Sequence, residues 1–111
     1  LMEEYNTGII VLSQADYRRF NIRRGDLEGV VNFILRIRRI RCAALITERR
    51  DIVKVSMRSK GDFSVQEICS KHFNGGGHKN ASGGAVKIKL AEAVERFKKV
   101  IKEEYKEALT S

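Results

Sequence analysis

The sequence predicts a single α+β domain, a mixed β-sheet of about four or five strands with helices packed on it. Three observations carry this. Short runs suited to strands, at 8–13, 40–47, 52–58 and 85–90, are separated by stretches whose apolar residues recur at helical spacing. The opening order of strand, helix, strand calls for a crossover between neighbouring parallel strands, which makes the sheet mixed. The 111 residues contain no internal repeat, no proline and no linker-like stretch, so one domain with one modest core is expected.

Taken in order, residues 8–13 (GIIVLS) suit a buried strand, and Ser13 with Asp16 reads as a capping box opening a short helix over 14–20. Residues Asn21 to Gly25 read as a loop. Asp26 is placed to cap a helix over about 27–38, with Leu27, Val30, Val31, Ile34 and Ile37 on one face. IRCAALIT (40–47) is a second strand, Glu48–Asp51 a polar turn, and IVKVSMR (52–58) a third strand that pairs antiparallel with the second. In that third strand Val53, Val55 and Met57 alternate with Lys54, Ser56 and Arg58, one set on each side. After a loop at 59–62, Ser64 with Glu67 forms a second capping-box pattern, opening a helix over 64–73 with Val65, Ile68, Cys69 and His72 on one face. The run 74–84 reads as a glycine-rich loop and AVKIKL (85–90) as a strand. A final helix over about 91–109 carries the stripe Val94, Phe97, Val100/Ile101, Tyr105 and Ala108.

Composition narrows the class. Apolar residues are 42% of the chain, so a packed globule is expected rather than disorder. No run approaches the ~20 apolar residues of a membrane span, and the opening LMEEYNTG has no signal-peptide pattern. Leu1 is not an initiator methionine, so the chain is expected to begin inside a longer protein. Cys42 and Cys69 lie far apart in apolar patterns and are expected to be buried thiols in a reducing cytoplasm. Lys and Arg total 22 against 14 acids, a charge of +8 that favours polyanionic partners. Arg18, Arg19, Arg23, Arg24, Arg36, Arg38, Arg39 and Arg41 supply planar forks that suit phosphate better than lysine does. The bland alternative is a solubilising surface.

The most informative stretch is Asn74-Gly75-Gly76-Gly77-His78-Lys79-Asn80-Ala81-Ser82-Gly83-Gly84, which holds five of the nine glycines. Such a run lets a ligand touch the backbone and lets N–H groups converge on an anion, the more so if a helical turn begins near His78. His78, Lys79 and Asn80 add side-chain donors. Neither GxxxxGK[ST] nor GxGxxG fits the run, and it follows a helix rather than a strand. Arg58, with Ser56 and Lys54 on its strand face and Ser59 next in line, is the second candidate. Periodicity alone favours reading that row as a solvated strand face. His72 reads as a partly buried core histidine, and Lys98, Lys99, Lys102 and Lys106 as a solvated helix face. The aspartates Asp16, Asp26, Asp51 and Asp62 are isolated. Neither a two-metal cluster nor a nucleophile with its base is legible, so no catalytic or metal-binding residue is assigned on this chain.

Gly75-Gly76-Gly77-His78 together with Ser56-Met57-Arg58-Ser59 resembles the C-terminal DHH-associated domain of DHH-family phosphoesterases. The branch is the bacterial and archaeal oligoribonuclease (nanoRNase) and pAp phosphatase type, often labelled exopolyphosphatase-related. Asp26–Asn32 and Val65–Phe73 extend the likeness over nearly the whole chain, and Ala81-Ser82-Gly83 replaces a more usual Ala-Ala-Gly. The resemblance implies a two-domain enzyme. An N-terminal domain with an Asp-His-His triplet, absent from this chain, holds two manganese ions, and the C-terminal domain holds the substrate. It implies substrate contacts at Arg58, Ser59, Gly76, Gly77 and His78, to which the site's residue chemistry adds Gly75, Ser56, Lys79 and Asn80. The implied ligand is short RNA or a phosphorylated nucleotide such as 3′-phosphoadenosine 5′-phosphate (pAp). The implied partner is the missing N-terminal domain, with a homodimer left open. The competing expectations are a nucleic-acid-binding module like the one that ends alanyl-tRNA synthetases, and a polyphosphate or cyclic-dinucleotide substrate.

Overall fold

The computed structural model describes Met2 and residues 5–110. The chain opens with β1 (Thr7–Leu12), α1 (Gln14–Phe20), α2 (Arg24–Leu35), β2 (Cys42–Glu48) and β3 (Val53–Ser59). It continues with α3 (Val65–His72), β4 (Gly76–His78), β5 (Ala81–Val86), α4 (Leu90–Glu104) and α5 (Lys106–Thr110). Among the described residues one sheet runs in the order β1-β2-β3-β5-β4, with β1 parallel to β2 and every other neighbour antiparallel. The mixed α+β architecture and the β2–β3 hairpin are as the sequence predicts. None of the helices is long and apolar enough to cross a membrane.

Local chemistry explains most boundaries. At α1 the capping box forms in both directions: the Asp16 N–H donates to Ser13 Oγ (3.2 Å) and the Ser13 N–H donates to the Asp16 carboxylate (2.9 Å). Asn21 then ends the helix in the left-handed region at φ 51°. α2 begins and ends earlier than predicted. Asp26 sits inside its first turn rather than before it, accepting the Arg23 N–H at 3.1 Å. With this phase Leu27 and Val31 are buried while Val30 and Ile37, predicted on the core face, are exposed. The C-terminal helix breaks at Tyr105, and the stripe continues through Leu109 while Ala108 is exposed.

The sheet separates two apolar clusters. On one face Ala44, Ile46, Val53, Val55 and Met57 pack against Ile68 and Cys69 of α3 and Phe97 and Ile101 of α4. On the other face Ala43 and Leu45 pack against Leu27 and Val31 of α2, with Tyr17 of α1 at the edge. The buried core and flanking residues of that second cluster come from β1, β2, the first two helices and the loop between them; none comes from β3, β4 or β5. The half of this face formed by β3, β4 and β5 thus adds no apolar side chain to the cluster, and it carries the half-buried Lys54, Ser56 and Arg58.

Cys42 and Cys69 are free and buried. Burial pushes the Cys42 thiol up to about 12 and the Cys69 thiol to about 11, the latter against a lowering pull from Arg58. Thiolate is the reactive form, so neither thiol should react with iodoacetamide at neutral pH until the domain unfolds. Mass spectrometry of pulse-alkylated protein across a urea series checks this, with labelling expected to follow the loss of helical circular dichroism.

Candidate functional site

Strand register fixes what shares the open half-sheet. One cross-strand row reads Ala43, Arg58, Ala81, His78; the next Leu45, Ser56, Gly83, Gly76; the third Thr47, Lys54, Ala85. Directly opposed residues point to the same face. Strands lie about 4.8 Å apart, so Arg58 and His78, two strands apart, flank a gap of about 10 Å. Only Ala81 lies between them, and Gly83 beside it, so the floor is shallow enough for a small ligand to rest on backbone. No carboxylate occurs in the three rows. Arg58 and Lys54 make the surface cationic, and Arg58 spends one Nη1 hydrogen on the Met57 carbonyl at 2.9 Å. The exposed His78 ring makes no hydrogen bond among the described residues.

The predicted glycine loop is a β-hairpin, β4 and β5 joined by a two-residue turn at Lys79-Asn80. No helical turn begins at His78, and β5 starts at Ala81 rather than 85. The run pairs as strand instead of curling its N–H groups around an anion. The expected site residues thus divide into two sets. Ser56, Arg58, Gly76 and His78 meet on the open face. Ser59, Gly75, Gly77, Lys79 and Asn80 are engaged in holding the hairpin in place.

The second set works as follows. Ser59 Oγ is buried and donates to the Phe63 carbonyl at 2.6 Å. The Asn80 amide donates to Ser59 Oγ (2.9 Å) and to the Gly61 carbonyl (3.1 Å). Lys79 Nζ pairs with Asp62 at 3.1 Å, and the Lys79 carbonyl accepts the Val65 N–H at 2.8 Å. That last bond takes a donor at the start of α3. The Ser64 side chain makes no capping bond, so the second predicted box does not form. A Cβ on Gly75 would stand 1.9 Å from the Gly83 carbonyl oxygen, and one on Gly84 2.2 Å from that of Phe73. Gly77 has φ +144° and a Cβ there would be 2.8 Å from the Ala81 oxygen. Gly76 differs from all three, because a Cβ there would meet nothing within 4 Å and its φ is not positive. Neither packing nor backbone conformation asks for glycine at 76.

Other charged surfaces are less selective. A groove of about 660 Å³ along α4 sets Arg96, Lys98, Lys99 and Lys102 against Glu92, Glu95 and Glu103, a near balance that offers an anion little net pull. His72 is partly buried and pairs with Glu104 at 3.1 Å, linking α3 to α4. Among the described residues no group of three or more His, Cys, Asp or Glu side chains is arranged to hold a metal ion.

The fold and surface define an α+β domain with one basic, half-open sheet face. The chain belongs to the DHHA1 domain family, which matches residues 6–107. The family resemblance carried by the GGGH and Ser-x-Arg-Ser motifs is thereby upheld. Over 80 residues the chain is 35% identical to the bifunctional oligoribonuclease and PAP phosphatase NrnA of Thermus thermophilus, covering 71% of this chain and 24% of that protein. The crystal structure of an exopolyphosphatase-related protein from Bacteroides fragilis superposes with a TM-score of 0.92 at 35% identity, over 100% of this chain and 32% of that one. The C-Ala domain of Aquifex aeolicus alanyl-tRNA synthetase shares the fold, with a TM-score of 0.60 at 15% identity over 95% of this chain and 91% of that one. The chain thus spans about a quarter of the first relative and about a third of the second.

The glycines should separate by substitution. Gly75→Ala and Gly84→Ala are expected to cost about 3 kcal/mol or more through backbone overlap, while Gly76→Ala should be neutral or stabilising by about 0.5 kcal/mol. Urea midpoints of the three variants measure this directly.

Proposed function

We propose that this domain holds the substrate of a DHH-family phosphoesterase. It receives the terminal, phosphate-bearing nucleotide of a short oligoribonucleotide, or pAp, on the open half-sheet. The observation that carries the reading is Gly76: a glycine that the domain's own packing does not require, on the same face as Arg58, Ser56 and His78. A backbone left bare next to an arginine suits close approach of a ligand.

Each side chain has a role in that pose. Arg58 grips the phosphate with its planar fork. His78 approaches from the other side of the Ala81 floor, and the Ser56 hydroxyl lies one row along. Lys54 adds long-range attraction. The chain binds and orients; no atom of it is assigned a part in bond breaking. Manganese and the hydrolytic step are assigned to an Asp-His-His domain in the additional length its relatives possess. A face that fixes the phosphate lowers the barrier there by positioning. Contacts to phosphate rather than base edges imply weak sequence preference. The free thiols accord with a reducing cytoplasm.

Titration by NMR with pAp and with a 5′-phosphorylated ribodinucleotide tests the reading. Shifts are expected at Arg58 and across 76–83. Arg58→Ala should weaken binding by about tenfold or more, the worth of a charge-assisted phosphate contact. His78→Ala and Gly76→Ala should weaken it while leaving the fold intact, and added salt should weaken it further. Unchanged affinity in all three variants would sink the proposal. Binding of tRNA with no preference for short ends would favour the alanyl-tRNA synthetase-like alternative.

A further inference from the structure

Among the described residues two polar side-chain atoms are buried without a hydrogen-bond partner: the Tyr17 hydroxyl and Arg49 Nε. Unmet buried donors carry a desolvation cost, so a pair of them calls for a reason. They are neighbours, with the Arg49 guanidinium 4.7 Å from the Tyr17 ring centroid. Both line a cleft of about 320 Å³ whose other walls are Gln14, Arg18, Glu48 and Arg50. Three arginines there face one carboxylate. That carboxylate accepts the Gln14 N–H at 2.9 Å, and it forms no ion pair with the three among the described residues. The cleft is positive, rich in donors and short of acceptors.

Its position links it to the open half-sheet. Arg49 continues the alternation Ala43, Leu45, Thr47 just past the end of β2, and its N–H still pairs with the Ile52 carbonyl at 2.8 Å. Tyr17, which it covers, belongs to the apolar cluster of the Arg58 face. Thr47 is the register partner of Lys54. At about 3.3 Å per residue, Lys54 lies about 13 Å along the sheet from Arg58, and Arg49 about 20 Å. Cationic side chains therefore mark out a line on one face, far longer than one nucleotide.

We infer that Arg49, Arg18 and Arg50, with the Tyr17 hydroxyl, form a second phosphate site for an internal phosphodiester of the same single-stranded oligoribonucleotide whose end rests at Arg58. This extends the reading of the Arg58 face and rests on it. A mononucleotide such as pAp cannot reach both sites; a strand several nucleotides long can. Both atoms are closed to solvent in the free domain, so binding includes a shift of the Arg49 side chain off the Tyr17 ring, after which the Tyr17 hydroxyl and Arg49 Nε gain the phosphate oxygens as their missing acceptors.

The test is a titration of wild-type domain, Arg49→Gln, Arg49→Lys, Tyr17→Phe and Arg58→Ala with pAp and with a 5′-phosphorylated pentaribonucleotide. Circular dichroism confirms folding of each. Arg49→Gln should weaken the pentanucleotide about tenfold and leave pAp unchanged. Arg49→Lys, which keeps charge without the fork, should lose less. Tyr17→Phe removes a hydroxyl that the protein leaves unpartnered, so it should hold or raise Tm while still weakening the pentanucleotide. Arg58→Ala should weaken both ligands. Wild-type pentanucleotide affinity in the Arg49 and Tyr17 variants, with loss only in Arg58→Ala, overturns the second site and leaves the first standing. Equal loss of pAp and pentanucleotide in Arg49→Gln also overturns it, since that is general charge attraction. No effect of Arg58→Ala on either ligand removes the terminal-nucleotide reading and this extension together.

Discussion

The arrangement depends on how closely β5 lies against the end of α3. The Phe73 carbonyl accepts the Ala85 N–H at 2.9 Å, and the Gly75 N–H reaches back to the Cys69 carbonyl at 3.0 Å. The first bond needs the chain at 73–75 to touch β5, where a Cβ on Gly84 would meet the Phe73 carbonyl and one on Gly75 the Gly83 carbonyl. This contact fixes where the β4–β5 hairpin begins, and with it the pairing of Ser56 with Gly83 and Arg58 with Ala81. Moving β5 by one residue would turn its other side chains to the open face and put Ser82 on the floor. The cationic row and its shallow bed are thus a product of glycine packing on the opposite side of the strand.

The hairpin shows a division of labour that its composition conceals. Residues with ample hydrogen-bonding capacity, Ser59 and Asn80, spend it inside the domain, tying the turn to the Gly61–Phe63 segment. Among the described residues, those with unspent capacity on this face are the Lys54 amine, the Ser56 hydroxyl and the His78 ring, together with the remaining donors of Arg58. The first group sets the geometry and the second is available for chemistry. Preorganisation of this kind lowers the ordering cost of binding, because the turn is already held when a ligand arrives.

What the sequence discloses and conceals follows from the range of the interactions. The β2–β3 hairpin and the core face of β3 are legible because alternation is local. The Ser13–Asp16 capping box is legible because both partners lie within one turn. The Ser64 box has the same pattern and does not form; the Glu67 carboxylate that would complete it accepts instead from Lys71 Nζ at 2.7 Å and from the Tyr105 hydroxyl at 3.2 Å, the latter a distant partner that no local pattern discloses. The glycine run reads as a loop because glycine and serine are poor strand formers. Its strand character comes from pairing with β3, 20 or more residues distant in sequence. Of its glycines, only the three-dimensional neighbours distinguish Gly76 from Gly75 and Gly84. Arg49 read as part of a polar turn, although the period-two pattern from Ala43 onward already carried its direction.

Were the domain to hold the substrate as proposed, a half-open face would suit a surface on which no metal donor set occurs among the described residues. Binding that is equal in ground state and transition state raises affinity without raising the rate of the chemical step. A holding face contributes to rate when it fixes the scissile phosphate relative to a second, reactive surface. An enclosed pocket on this chain would satisfy the ligand alone and leave no side for that surface to approach. In the proposed pose a shelf with Arg58 on one side and His78 on the other would grip from below and leave the phosphate accessible from above. The half-buried sheet face and the bare Gly76 backbone fit the proposed arrangement, in which a second surface would come from the additional length that the relatives possess.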